Sequence, residues 1–251
     1  MSLVLHDRSE GQRGPVPAPS KETAVCRTHV PFEGSTDVGL LARTYLGETE
    51  AAAFGAMTGR GRIPWLLGRV ATKDAVRDHL ASRDFAEVDA TRIIVSNDGN
   101  GCPKVEVRGA RLATRGVRVS IAHKPNIAVA VAARVRQPTI PTGSAPMSVG
   151  LGIDIESVAS RPASFETTIL SPAERSLLDA DRDDRDAWLT RMWAVKEAAA
   201  KATGLGLRGR PKDFVVDALD DDRVRCCGRW IATALLDSGG DRYVVAWTDS
   251  V

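Results

Sequence analysis

Two short segments, a fixed distance apart, constrain this chain most. Gly150-Leu151-Gly152-Ile153-Asp154-Ile155-Glu156 has the pattern of an apolar strand carrying two acids. Trp193-Ala194-Val195-Lys196-Glu197-Ala198-Ala199-Ala200-Lys201 has the pattern of a helix, and Lys196 follows Asp154 by 42 positions. On a strand, residues i and i+2 share a face, so Asp154 and Glu156 point one way and Ile153 and Ile155 the other. On a helix, i and i+4 are neighbours, so Glu197 and Lys201 lie on one face together with Trp193.

Each segment alone has an ordinary explanation. The strand is a solvated acidic face, and the helix pair is a salt bridge worth about 0.3–0.5 kcal/mol. Two details favour more. Gly150 and Gly152 lie on the acid face, where missing side chains predict room for a ligand. Adjacent like charges also repel unless a cation sits between them. A hard cation such as Mg²⁺ takes carboxylate oxygens together with substrate phosphate oxygens. Asp154, Glu156 and Glu197 are therefore candidate metal ligands, with Glu197 a candidate general base as well. Lys196 and Lys201 suit phosphate oxygens.

Composition narrows the class. The 251 residues carry 34 basic and 32 acidic side chains, a net charge of +2, which argues against a nucleic-acid binder. The cysteines Cys26, Cys102, Cys226 and Cys227 form no C-x-x-C, so neither a structural zinc site nor a disulfide framework is expected. No apolar run reaches the roughly 18 residues of a membrane span. The N-terminus, soon meeting Asp7, Arg8 and Glu10, does not resemble a secretory signal. A soluble, cytoplasmic protein without membrane or nucleic-acid partners is the expectation.

The pattern along the chain predicts an α+β fold in two similar lobes. Residues 1–38 are rich in Gly, Pro and Ser without a period, and are expected to be flexible or to lie extended on the surface. Leu40 to Leu80 is helical with breaks at Gly59, Gly61 and Pro64. Strands are predicted at 93–96, 104–107, 117–121 and 127–131. A Pro/Thr/Gly/Ser-rich stretch, Gln137 to Pro146, marks the boundary, giving lobes at 39–147 and 148–251. The second lobe opens with the strand 149–156. Helices follow from Ser171-Pro172-Ala173-Glu174, a capping-box pattern, and from about 184 to 203. Strands at 214–218, 224–236, with a bend at Gly228 left open, and 243–247 close the chain. The lobes are similar in layout, but no residue-level repeat is visible.

Further candidates are weaker. His123, in the turn His123-Lys124-Pro125-Asn126, suits a phosphate dianion with Lys124 beside it. Arg62, Arg69 and Lys73, on the predicted helix, are candidate additions to such a pocket. Glu174 is explained adequately as an N-terminal helix residue.

Together these segments resemble the 4′-phosphopantetheinyl transferase superfamily. Its signature is an apolar-Gly-apolar-Asp segment, then roughly forty residues, then an aromatic-x-x-Lys-Glu-x3-Lys segment. The length and layout are similar to the monomeric surfactin-type branch, in which two similar lobes form a pseudo-dimer. The resemblance implies transfer of phosphopantetheine from coenzyme A to a serine of an apo acyl or peptidyl carrier protein, releasing adenosine 3′,5′-bisphosphate. It further implies that Asp154, Glu156 and Glu197 bind Mg²⁺, and that Glu197 or Glu174 assists deprotonation of the serine. Lys201 would stabilise pyrophosphate charge, with Lys196 beside it, and His123 would contact the 3′-phosphate of coenzyme A. Trp65-Leu66-Leu67-Gly68-Arg69 resembles a family helix, and also members acting with polyketide synthases. The family's Gly-Lys/Arg-Pro turn stands here as Gly101-Cys102-Pro103, with the base displaced to Lys104. Two other classes compete: a non-catalytic coenzyme A or carrier-binding module, and a metal-dependent nuclease.

Overall fold

The protein is described from a computed structural model covering the backbone of residues 25–29 and residues 37–82, 87–110, 114, 116–134, 150–179 and 183–248. The fold is α+β, as the sequence pattern predicts. In the N-terminal half, helices α1 (Val38–Tyr45), α2 (Glu48–Ala56) and α3 (Arg62–Ala81) precede the hairpin β2 (Ile93–Asn97) and β3 (Pro103–Val107). Strands β4 (Val117–Lys124) and β5 (Ile127–Arg134) follow. The C-terminal half starts with β6 (Ile153–Ser157), continues through α4 (Ala163–Ile169), α5 (Pro172–Asp179) and α6 (Arg185–Ala202), and ends in β7 (Val216–Leu219), β8 (Arg223–Cys226), β9 (Arg229–Ser238) and β10 (Asp241–Trp247).

Three differences from the sequence expectation stand out. A strand, β1 (Val25–His29), lies within the stretch expected to lack regular structure and pairs antiparallel with β5. Its partner supplies the order that its own composition does not. Residues 1–24 and 30–36, and the expected boundary at 137–146, lie outside the described residues. Helix α4 has no counterpart in the predicted elements. The strand expected over 224–236, with a bend at Gly228 left open, is a full hairpin turning at that point, because Cys227 and Gly228 both take positive φ, 52° and 74°, and fold β8 back onto β9.

Antiparallel sheets ordered β1-β5-β4 and β6-β10-β9-β8-β7 carry the architecture. Strand β5 explains how they stack. Its sequence alternates large and small, Ile127-Ala128-Val129-Ala130-Val131-Ala132. The small side Ala128, Ala130 and Ala132 packs in one core with α3 residues such as Leu67, Ala71 and Ala75. The large side Ile127, Val129 and Val131 packs against Ile153 and Ile155 of β6 and Tyr243, Val245 and Trp247 of β10. On the other face of β10, Val244 and Ala246 pack with Ala194, Val195 and Ala198 of α6. The two sheets thus face each other, with α3 outside one and α6 outside the other. The edge strands β4 and β6 lie next to each other, where the Ile153 N–H donates to Ser120 Oγ at 3.1 Å.

A residue-level repeat, invisible in the sequence, appears in both halves. In the C-terminal half, Glu174 at the third position of α5 accepts from the Ser171 N–H at 2.7 Å, from the Val216 N–H at 2.8 Å and from Lys196 Nζ at 2.6 Å. Lys196 also donates to the Pro211 carbonyl at 3.1 Å. In the N-terminal half, Glu50 at the third position of α2 accepts from the N–H groups of Gly47 at 3.4 Å and Val95 at 3.1 Å, and from Lys73 Nζ, which also donates to the Ala90 carbonyl at 3.0 Å. In each half one buried ion pair ties a short helix, a long helix, a 3₁₀ turn and the following strand together.

Candidate active site

Strand β6 and helix α6 meet because β6 begins with glycine. A Cβ at Gly152 would overlap the carbonyl oxygen of Ala198 and lie 2.9 Å from the Ala202 nitrogen. A Cβ at Gly150 would overlap the Ala202 carbonyl, which accepts from the Gly150 N–H at 3.0 Å. The glycines expected to admit a ligand instead admit the α6 backbone. That close approach sets the acid face of β6 against the Glu197–Lys201 face of α6.

Lys201 is the hub. Its ammonium donates to Asp154 Oδ1 at 2.7 Å, to the Ile153 carbonyl at 3.1 Å and to the Ile121 carbonyl of β4 at 3.5 Å. All three donors are used, and they bridge the two sheets. Lys201 therefore pairs with Asp154 rather than with Glu197, its i−4 neighbour. Asp154 is buried, and its Oδ2 has no hydrogen-bond partner. Burial pushes the Asp154 carboxyl up, and the negative Glu156 adds to this. Lys201 and Lys124 oppose it without cancelling it.

Glu156 is crowded with donors. Lys124 Nζ at the end of β4 lies 2.7 Å from Oε2, and Arg161 donates to the same oxygen at 3.2 Å. The Trp193 indole N–H donates to Oε1 at 3.1 Å. Trp193 meets Phe165 edge-on with centroids 5.5 Å apart, and the Arg161 guanidinium lies over Phe165 at 4.7 Å. Glu197 contrasts with this: it makes no hydrogen bond or ion pair among the described residues. Burial raises its pKa first, then the negative Asp154 and Glu156, against Lys201 and Lys124. A half-buried, unpaired carboxyl whose proton affinity is raised suits proton transfer.

His123 precedes Lys124 on β4 and lies beside α3, where its Cδ2 is 4.0 Å from where a Cβ on Gly68 would stand. Burial lowers its pKa, and the positive Lys201 and Lys124 lower it further, so the imidazole is neutral near pH 7. A cleft of about 480 Å³ opens beside Lys201, within the usual size range of small-molecule sites. Its walls are the β2–β3 turn at Asn100–Pro103, Arg118–Ile121 of β4, and the end of α6 through Gly206. The Cys102 thiol closes one corner by donating to the Gly204 carbonyl at 3.3 Å.

The structure gathers Asp154, Glu156, Glu197, Lys201, Lys124 and His123 within electrostatic reach of one another. Glu174 and Lys196 are elsewhere: both side chains are 0% exposed and bonded to each other. With both oxygens of Glu174 accepting N–H groups, the expected base role has no free lone pair facing solvent, and Lys196 cannot reach a phosphate. Arg62 and Arg69 engage an aromatic stack at the start of α3. Arg62 lies 4.1 Å over Phe54 and Arg69 4.4 Å over Trp65, with Arg69 Nε 3.7 Å from Glu50. Lys73 is the buried partner of Glu50. Arg161 carries no sequence signal, since it lies in a stretch without periodicity or motif. Among the described residues, no group of three or more His, Cys, Asp or Glu side chains is gathered closely enough to hold a metal ion. No described helix is long and apolar enough to cross a membrane.

Residues 150–248 match the family model described as the 4′-phosphopantetheinyl transferase superfamily. The chain is also similar to the L-aminoadipate-semialdehyde dehydrogenase-phosphopantetheinyl transferase of Schizosaccharomyces pombe, with 31% identity over 104 residues. That match spans 39% of this chain and 38% of the relative's length. The matched region contains β6 and α6, and hence Asp154, Glu156, Glu197 and Lys201. The family match is thus confined to the C-terminal half of the chain, residues 150–248, the half that carries the acid face of β6 and the Glu197–Lys201 face of α6.

Proposed function

We propose that the chain moves 4′-phosphopantetheine from coenzyme A to a serine of an apo acyl or peptidyl carrier protein, releasing adenosine 3′,5′-bisphosphate. The observation that carries this is the juxtaposition of an unpaired Glu197 with the Asp154–Lys201 pair, whose lysine also lines the cleft beside β4 and the end of α6. The reaction needs a base for an alcohol, positive charge for a pyrophosphate and room for a nucleotide. The carrier brings the nucleophile, so the enzyme needs none of its own.

In the proposed reaction the serine oxygen forms a bond to the phosphorus of the phosphopantetheine phosphate. The bond from that phosphorus to the bridging oxygen breaks, and the electron pair leaves with adenosine 3′,5′-bisphosphate. Glu197 accepts the serine proton, directly or through water. Lys201 holds Asp154 in place and presents positive charge toward the cleft. His123 meets the 3′-phosphate of coenzyme A, whose negative charge would favour protonation of the imidazole.

The carboxylate types suit a hard divalent cation, although the described residues do not gather three of them into a formed site. Asp154 Oδ2 is buried without a partner, the negative Glu156 disfavours ionisation of Asp154, and the negative Asp154 and Glu156 disfavour that of Glu197. These three would hold Mg²⁺, which when bound supplies neutralisation of the pyrophosphate oxygens. The repeated Glu–Lys unit supports two lobes related as in the pseudo-dimeric, surfactin-type branch, acting as a monomer. The carriers include those of polyketide synthases.

The test is incubation with coenzyme A, Mg²⁺ and a panel of apo carriers, read by intact-carrier mass. A phosphopantetheine gain, lost in Glu197→Gln with the fold retained, is expected. Coenzyme A binding without bisphosphate release would reduce the chain to a binding module.

A further inference from the structure

Three cationic side chains reach the carboxylates of β6, but they are not equally committed. Lys201 is fixed by two backbone carbonyls besides Asp154. Arg161 also donates to the Ser157 carbonyl at 3.3 Å and lies over Phe165. Lys124 has neither kind of anchor. Its one partner among the described residues is Glu156 Oε2 at 2.7 Å, and its side chain is 25% exposed. As the last residue of β4, just before the Pro125-Asn126 turn, it can swing into solvent without disturbing a strand interior.

The same carboxylates are those that would hold a divalent cation, and any role for Lys124 in loading the centre rests on that reading. A carboxylate oxygen bonded to an ammonium is not available to a metal ion. The ammonium contributes the same sign of charge at the same place, but less of it and on a flexible stem.

We propose that Lys124 is a built-in, displaceable counter-ion that competes with the divalent cation for Glu156 and so sets the concentration at which the centre loads. In the cation-free protein, Lys124 offsets the repulsion between Glu156 and its acidic neighbours. On loading, Glu156 passes to the cation and Lys124 moves out to water. This gives Lys124 a role distinct from that of Lys201, which its carbonyl partners hold in place whether or not a cation is bound.

The experiment is Mn²⁺ binding to the full chain without coenzyme A, read from the electron paramagnetic resonance signal of free Mn²⁺. Wild type is compared with Lys124→Met, Lys124→Gln, Lys124→Arg and Asp154→Asn. Removing the competing ammonium should tighten binding roughly fivefold in both Lys124→Met and Lys124→Gln, the size expected for a partly exposed ion pair. Lys124→Arg should bind like wild type, and Asp154→Asn should abolish binding. If binding depends on Asp154 but the neutral variants leave it unchanged or weaken it, the counter-ion role is overturned and the cation site stands. If binding is indifferent to Asp154→Asn, the cation site itself fails and the proposal with it.

Discussion

Lys196→Met separates a structural lysine from a phosphate-binding one. In the folded protein the Lys196 ammonium donates to Glu174 Oε1 at 2.6 Å and to the Pro211 carbonyl at 3.1 Å, and neither side chain of the pair is exposed. Methionine fills much of the volume but leaves Glu174 as a buried carboxylate with only the Ser171 and Val216 N–H groups. Breaking one side of such a pair costs about 3–5 kcal/mol, against a total stability of roughly 5–15 kcal/mol for a typical protein. Urea unfolding should therefore move to a markedly lower midpoint. The pH dependence has a definite sign. Burial raises the Glu174 pKa, but the bonds from Lys196, Ser171 and Val216 outweigh it and hold the pKa below its ordinary 4.5. This pair therefore contributes stability above that value, which is lost as pH falls through the lowered folded pKa. In Lys196→Met only burial and the two N–H groups remain, so the gap between variant and wild type should narrow on acidification. Adding Glu174→Gln should recover about 1–3 kcal/mol by removing the unpaired charge. A variant as stable as wild type that loses phosphopantetheine transfer per folded molecule would refute this reasoning and return Lys196 to the ligand.

Three further outcomes are expected. Gly152→Ala should destabilise by about 3 kcal/mol, because its methyl meets α6 backbone rather than a flexible side chain; a thermal melt within a degree of wild type would contradict this. Glu197→Gln should raise the melting temperature of the cation-free protein at neutral pH. The Glu197 pKa is raised on folding, so its ionisation costs stability once pH exceeds the unfolded pKa; the gain should therefore vanish below about pH 4. The His123 imidazole should titrate below its ordinary 6.5 in the free protein, and Lys124→Met should move it upward; nuclear magnetic resonance titration of labelled histidine reads both.

The acid face of β6 and the Glu197–Lys201 face of α6 were legible because strand and helix periods are short-range facts. What lay beyond them was set by partners distant in sequence. The i, i+4 spacing of Glu197 and Lys201 predicts a helical salt bridge, but Asp154 offers Lys201 a buried oxygen at 2.7 Å, and it takes the ammonium. Gly150 and Gly152 look like openings for a ligand until a helix 46 residues further on, at Ala198, proves to be what fills them. Strand β1 was illegible for the same reason: its order comes from pairing with β5, roughly a hundred residues away.

The repeated Glu–Lys unit explains why the resemblance of the halves was so hard to see and why only one of them carries the acidic centre. Only two side chains per half, Glu50 with Lys73 and Glu174 with Lys196, need to persist, because, Arg69 beside Glu50 apart, their other partners are backbone groups that any residue supplies. Everything else is free to diverge. The residue after Lys196 is Glu197, without a partner among the described residues and facing the acids of β6. The residue after Lys73 is Asp74, which accepts from the Tyr45 hydroxyl at 3.1 Å and pairs with Arg77 at 3.4 Å. At the next equivalent position Lys201 stands in α6 and Asp78 in α3. The same scaffold thus holds a free carboxyl beside an ammonium in one half and bonded acids in the other. In the proposed reaction the chemistry falls to the half whose long helix keeps its acid unpaired, while the other half supplies β4, with His123 and Lys124 at its end and the Ile121 carbonyl that Lys201 reaches.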